Sequence, residues 1–172
     1  MQVSPDHPEF AKRAARIRLL GIDFDGVMTD NTVFVFEDGR EAVRCSRLEG
    51  YGLRRAAAAG VHCFILSTEA NPVVSRRAEK LKIECVQNCP DKVIAFRQIV
   101  EQRGLSMDEA AFIGNDVNDL ELLKLVGLPV IVADAHEDLD ALNAYRTRRK
   151  GGDGAVRELC DAIAIVRERA GT

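Results

Sequence analysis

A chain of 172 residues that is 47% apolar and 30% charged has material for one well-buried domain and too little for two of ordinary size. A net charge of −3, with the basic residues spread along the chain, excludes the electrostatic footprint of a general nucleic-acid binder. No apolar stretch approaches the roughly 18 residues that span a bilayer, and the opening MQVSPDHPEFAKRAARI lacks a signal-peptide core. We therefore expect a soluble protein without a membrane partner. Five irregularly spaced cysteines, with Cys63 inside an apolar run, suit reduced core thiols and a cytoplasmic setting.

In chain order, a helical extension over residues 1–17 is expected to begin with Ser4 as cap and Pro5 at its first position. An apolar strand at 18–23 runs into LLGIDFDGVMTD (19–30), which sets Asp23, Asp25 and Asp30 at its end. TVFVFEDGREAVRCS (32–46) reads as a β-hairpin, with β-branched and aromatic residues flanking an Asp38-Gly39 turn that can supply positive φ. A helix at about 50–59, the strand VHCFIL (61–66), a helix to about Leu81 and a short strand at 83–86 follow. Next come a helix at 91–103, the strand AAFIG (110–114), a helix at 117–125, the strands LPVIVA and AYRT, and a last helix from about 154. Apolar strands separated by amphipathic helices predict an α/β fold: a Rossmann-like, doubly wound parallel sheet in a single domain over 1–172.

In such sheets ligands sit at the carboxyl ends of the strands. Polar groups stand just past three of the predicted strands: Asp23 and Asp25, then Ser67, Thr68 and Glu69, then Asn115, Asp116 and Asp119. Lys92, at the start of a helix, adds an ammonium group. Clustered carboxylate and amide oxygens are the ligand set of a hard cation such as Mg2+. A lysine and a hydroxyl beside it suit the equatorial oxygens of a phosphoryl group in transfer.

The ordered set Asp-Phe-Asp-Gly-Val (23–27), Ser67 after an apolar strand, Lys92, and Gly-Asn-Asp-Val-Asn-Asp (114–119) resembles the four motifs of the haloacid dehalogenase-like phosphatases. GGDGAVREL (151–159) resembles the closing motif of a narrower group, the capless, tetrameric phosphatases of 3-deoxy-octulosonate 8-phosphate and of nine-carbon sialic-type sugar acids. The resemblance implies that Asp23 attacks phosphorus to form an aspartyl phosphate while Asp25 protonates the leaving oxygen and then activates water. It further implies that Ser67 and Lys92 complete the catalytic set. Mg2+ would be held by Asp23, the Asp25 carbonyl and Asn115, with Asp116 and Asp119 in support.

Two positions depart from the family pattern. Asn115 stands where many relatives carry aspartate, giving the cation a less negative site, though sialic-type members also have asparagine there. Glu49 replaces an aspartate before Gly50, which with Gly52 would open a helix beside the phosphate. Octulosonate phosphatases usually have Gly-Arg after the hydroxyl residue; Thr68-Glu69, followed by Lys80, resembles the nine-carbon branch. The expected substrate is thus a 2-keto-3-deoxy sugar-acid phosphate, a nine-carbon 9-phosphate before octulosonate 8-phosphate, with Arg157 a bidentate donor to its carboxylate. Cys85 and Cys89 lack a second ligand pair for zinc.

Two rivals belong to other classes. A phosphorelay receiver domain also combines acidic residues, a hydroxyl and a lysine, but it needs its phospho-acceptor aspartate where this chain has Ser67. A catalytically silent tetramerisation module would not require Asp23, Asp25, Ser67 and Lys92. The chain has room for a hairpin between Asp30 and Gly50 but not for a cap domain. Hairpin 32–46, exposing Val33 and Val35 or Phe34 and Phe36, is therefore expected to build a homo-oligomer, a tetramer as in the similar phosphatases, whose subunits roof each other's sites.

Overall fold

The computed structural model describes residues 1–171. Its elements begin with α1 (Pro8–Ala14), β1 (Leu19–Ile22), β2 (Thr29–Val35), β3 (Glu41–Cys45), α2 (Glu49–Ala58) and β4 (His62–Leu66). They continue with α3 (Val73–Leu81), β5 (Glu84–Val86), α4 (Lys92–Gln102), β6 (Ala110–Gly114), α5 (Leu120–Leu123), β7 (Leu128–Ile131), β8 (Tyr145–Arg146) and α6 (Ala155–Ala170). Six strands form one parallel sheet in the order β5-β4-β1-β6-β7-β8. The chain winds outward from β1 to β5 and returns on the other side of β1, so the winding reverses between β1 and β6, where such sheets open a crevice.

Apolar side chains alternate between two cores. Leu20 and Ile22 of β1 join the layer made by α1, α2, α3 and α6, whereas Leu19 joins Phe96 and Val100 of α4 and Leu122 and Leu123 of α5. A glycine is required in mid-β1: a Cβ at Gly21 would lie 2.5 Å from the Phe96 ring, which packs between Phe64 and Phe112 at centroid distances of 5.6 and 5.9 Å. Burying each such ring contributes roughly 1.5–3 kcal/mol, so α4 is held firmly against the sheet. Asp91 caps α4 by accepting from Ile94 N at 3.0 Å, which sets Lys92 as a buried first residue.

The hairpin β2–β3 pairs outside the main sheet and is the insertion between β1 and α2. It reaches further back than 32–46. Thr29 already pairs with Cys45, and a bulge at Asn31, whose φ is 61°, lies between that pair and Val33 opposite Val43. In the turn, Gly39 takes the positive φ of 82° while Asp38 accepts from Arg40 N.

Two other boundaries differ from expectation. His7, not Ser4, caps α1, and Pro8 rather than Pro5 is its first residue; this frame points Phe10 and Ala14 inward, one turn apart. The segment 117–125 is a short 3₁₀ turn followed by one α-turn, because the Asp119 side chain bonds inward instead of facing solvent. No helix among the described residues is long and apolar enough to cross a membrane.

Candidate active site

Asp23 directly follows β1 and donates its backbone N–H to Ile113 O at 3.0 Å, which stitches the strand end to β6. Lys92 Nζ lies 2.7 Å from Asp23 Oδ1 and 2.7 Å from Asp119 Oδ1, and all three side chains are buried. Asp119 Oδ2 accepts from Asn115 N at 2.9 Å, tying the loop after β6 into the same group. Two carboxylates around one ammonium leave an uncompensated negative charge in a dry site. Burial, reinforced by Asp119, pushes the Asp23 carboxyl up to about 7 against the pull of Lys92. Burial alone would push the Lys92 ammonium down; Asp23 and Asp119 outweigh it and hold it above its ordinary value.

That excess charge has a neighbour able to share a cation. One position of the Asn115 amide lies 2.9 Å from Asp25 O and 3.1 Å from Asp23 Oδ2. As nitrogen it donates to both; as oxygen it completes a cradle of carboxylate, carbonyl and amide oxygens that fits a hard cation. Gly26 is needed for this approach, since a Cβ there would meet Asn115 Nδ2 at 2.1 Å, and its φ is 75°. No group of three His, Cys, Asp or Glu side chains among the described residues is arranged to hold a metal.

Asp25, Glu41, Glu69 and Asn31 line a pocket of about 200 Å³. The half-buried Asp25 carboxyl is raised, first by burial and then by the Glu69 charge, as suits a group that gives up a proton late. Ser67 is buried at the end of β4, and its Oγ accepts from Glu69 N at 3.1 Å. Glu69 Oε1 accepts from Asn71 N at 2.6 Å, and Asn71 Nδ2 donates to Glu41 Oε2 at 2.9 Å, so the loop before α3 is joined to the hairpin. A wider groove of about 880 Å³ between hairpin and α3 continues this pocket: Glu41, Val43, Asn71 and Val73 line both.

The other expected site residues separate. Lys80 lines the wider groove and not the Asp25 pocket, so Glu69 and Lys80 occupy successive compartments. Thr68 is exposed beside Ser67. Asp116 caps the turn after β6, accepting from Val117 N at 2.7 Å. Gly50 packs against Leu81, where a Cβ would sit 3.2 Å from its Cδ2. Arg157 pairs with Asp161, lies over the Tyr51 ring and lines a cleft of about 710 Å³ that shares no lining residue with the Asp25 pocket.

Sequence reasoning missed Arg77. Its Nη2 donates to Ser46 O at 2.7 Å, and its buried Nε, without a partner, belongs to a side chain lining the groove. The signal was present as Arg76, Arg77 and Lys80, which fall on one stretch of α3 facing the hairpin. It also missed Thr29, whose buried hydroxyl accepts from Gly26 N at 3.1 Å and Asn31 N at 3.2 Å, shaping the turn that carries Asp25.

Comparison with known proteins agrees with this geometry. A family model for haloacid dehalogenase-like hydrolases matches residues 66–159. The 3-deoxy-D-manno-octulosonate 8-phosphate phosphatase of Yersinia pestis is 35% identical over 96% of this chain and 89% of its own length. A hypothetical protein from Xanthomonas campestris superposes with a TM-score of 0.92 at 32% identity, over 99% of this chain and 96% of that one. The octulosonate phosphatase of Moraxella catarrhalis, solved with magnesium, phosphate and the sugar acid KDO, superposes with a TM-score of 0.90 at 29% identity, over 95% of this chain and 94% of that one.

Proposed function

The chain belongs to the haloacid dehalogenase-like hydrolases and is a phosphoric monoester hydrolase, and from that premise we propose that it cleaves the phosphate ester of a 2-keto-3-deoxy sugar acid through an aspartyl phosphate on Asp23. The observation that carries this reading is the convergence of Asp23 Oδ2, Asp25 O and the Asn115 amide beside the Asp23–Lys92–Asp119 group. These oxygens would hold Mg2+, as the bound magnesium of the Moraxella relative encourages. When bound, the cation supplies charge neutralisation for the phosphoryl oxygens and the attacking carboxylate.

The chain's own residues do the rest. Lys92 fixes Asp23 by one carboxylate oxygen and leaves the other toward the cradle. Asp23 attacks phosphorus as the ester oxygen departs, and Asp25, kept protonated longer by burial and Glu69, gives that oxygen a proton. Asp25 then takes a proton from the water that cleaves the aspartyl phosphate, returning both carboxylates to their starting state. The Ser67 hydroxyl and the Lys92 ammonium offer donors to the phosphoryl oxygens.

The relatives' names favour octulosonate 8-phosphate as substrate. A specific observation supports a nine-carbon 9-phosphate instead: Glu69 lines the Asp25 pocket, and Arg77 and Lys80 line the groove that continues it, so an acceptor and then cations stand ready for a longer sugar acid. A phosphate-release panel comparing octulosonate 8-phosphate with the 9-phosphates of deaminated and N-acetylated neuraminate decides between them; no release from any of the three rejects the sugar-acid reading.

The same reading includes assembly through the hairpin. Val33, Phe34, Val35 and Phe36 are 49%, 66%, 67% and 49% exposed, so both faces of the ribbon are apolar, rather than the one face expected. Packing hairpins together would cover them and roof the open groove.

A further inference from the structure

We propose that Glu49 is a positioning residue for the turn carrying Asp25: from the start of α2 it clamps the 151–154 loop, whose backbone braces that turn. Glu49 is fully buried. One carboxylate oxygen accepts from Gly154 N at 3.1 Å and the other from Arg157 N at 2.7 Å. The far end of the loop is held where Gly151 N donates to Asp134 Oδ1 at 3.0 Å.

Between these two anchors the loop lies directly on the turn. Gly152 N donates to Val27 O at 3.0 Å. A Cβ on Gly151 would stand 1.9 Å from Gly26 O, and one on Gly152 would stand 2.5 Å from Asp30 N. Backbone thus meets backbone with no side chain between, so a shift of the loop passes to Gly26 without loss. Gly26 in turn abuts Asn115 and follows Asp25, whose carbonyl belongs to the oxygen cradle. Glu49 therefore acts on the cradle from a distance, through the loop and then the turn. Removing it would orphan the buried Gly154 N–H and the partly buried Arg157 N–H at the start of α6, and each orphan favours a displaced loop.

The charges around Glu49 fit a buried clamp. Burial pushes its carboxyl up to about 7, opposed by the Arg157 and Gly154 N–H groups and by Arg77, while Asp153 adds to the rise. The thiols of Cys45 and Cys160 also lie within its field. Its folded value stands above the ordinary 4.5, so its contribution to stability is complete below 4.5 and is lost as pH rises through about 7. Glu49→Gln cannot titrate and should lack that loss.

The inference rests on the reading of Asp25 and Asn115 as cation ligands, and its test includes a measurement that does not need the cation. Glu49→Gln keeps the shape but turns an NH2 toward one of the two N–H groups; Glu49→Ala removes the clamp. Arg55→Ala is the control, since Arg55 also joins α2 to α6, through Asp161 and Glu168, without touching the loop. In Glu49→Gln we expect half-saturation by Mg2+ to rise about 10-fold, the equivalent of one lost hydrogen bond. KM for p-nitrophenyl phosphate should stay near wild type while kcat falls. In magnesium-free protein, amides 26–31 should exchange with deuterium faster in Glu49→Gln and not in Arg55→Ala. A folded Glu49→Gln with wild-type exchange, Mg2+ response and kcat overturns the proposal, as does a Glu49→Ala whose only change is a lower Tm matched by Arg55→Ala. Should Asp23→Asn retain turnover, the cradle reading falls while the exchange result still judges the clamp.

Discussion

The centre at the strand ends and the groove between hairpin and α3 are both rich in charge, yet they hold it differently. In the centre, Asp23, Asp119 and Lys92 are buried and bonded through the lysine: Asp23 hangs from a strand end, Lys92 from a capped helix start and Asp119 from the turn that Asp116 caps. In the groove, Arg40 and Arg76 make exposed pairs with Asp38 and Glu79, and exposed pairs of that kind hold a side chain by no more than about 1 kcal/mol. The contrast separates two tasks. Groups that react must stand within a few tenths of an ångström before the substrate arrives, which only the packed sheet can impose. Groups that recognise a sugar, as proposed for the groove, can wait to be ordered by it, and can change without disturbing the fold.

The largest effect that would break this contrast is chemical. Asp23→Asn should abolish turnover with the fold intact, since an amide is no nucleophile. Phosphate-ester hydrolysis is so slow without an enzyme, with accelerations of up to about 10²¹-fold, that single-turnover phosphate release will resolve any residue. A well-folded Asp23→Asn enzyme turning over at the wild-type rate would end the covalent mechanism.

Next in size is the stability of the centre. Lys92→Met leaves Asp23 and Asp119 buried together without their cation, and breaking such a pair costs about 3–5 kcal/mol. Urea denaturation should show that loss in full only above pH 7 and shrinking below it, because the Asp23 carboxyl, already pushed up to about 7, rises further once Lys92 no longer lowers it. An unchanged midpoint would mean that water already reaches the site.

The groove should respond more mildly and more selectively. Glu69→Ala should lower kcat/KM on the sugar-acid phosphate by about 10- to 150-fold, the worth of a hydrogen bond to a charged group, and much less on p-nitrophenyl phosphate. Equal losses on both would move Glu69 out of recognition and into the organisation of Asp25, whose carboxyl its charge already raises.

The smallest expected change is at the hairpin tip. Phe34→Asp places a charge on a residue that is 66% exposed within one chain, so the monomer should be unaffected in Tm. Light scattering should report smaller particles than wild type, with activity on the sugar acid reduced severalfold through loss of the roof. Identical particle sizes would place the contact elsewhere.

The amino-acid sequence by itself determined the sheet, the strand ends and the reacting centre. That is because parallel register carries strand ends to one edge: Ile22 lies beside Ile65 and Ile113, so Asp23 comes level with Leu66 and Gly114, and Ser67 and Asn115 follow one residue later at the same carboxyl edge. Asp119 and Lys92 were equally legible as members of the cluster, though their direct bond was not. Tertiary structure alone decided the partners reached across long stretches of chain. Glu49 meets Gly154 and Arg157 at separations of 105 and 108 residues, a choice made by the packing of α2 on α6 and by Gly52, where a Cβ would stand 2.8 Å from Arg157 Cα. The same packing turned Arg157 toward Asp161 and away from the groove. The α3 helix, by contrast, presented Arg77 and Lys80 to the hairpin. A helix offers every side chain some direction; which direction is used depends on what lies against it, and that is known only once the layers have closed.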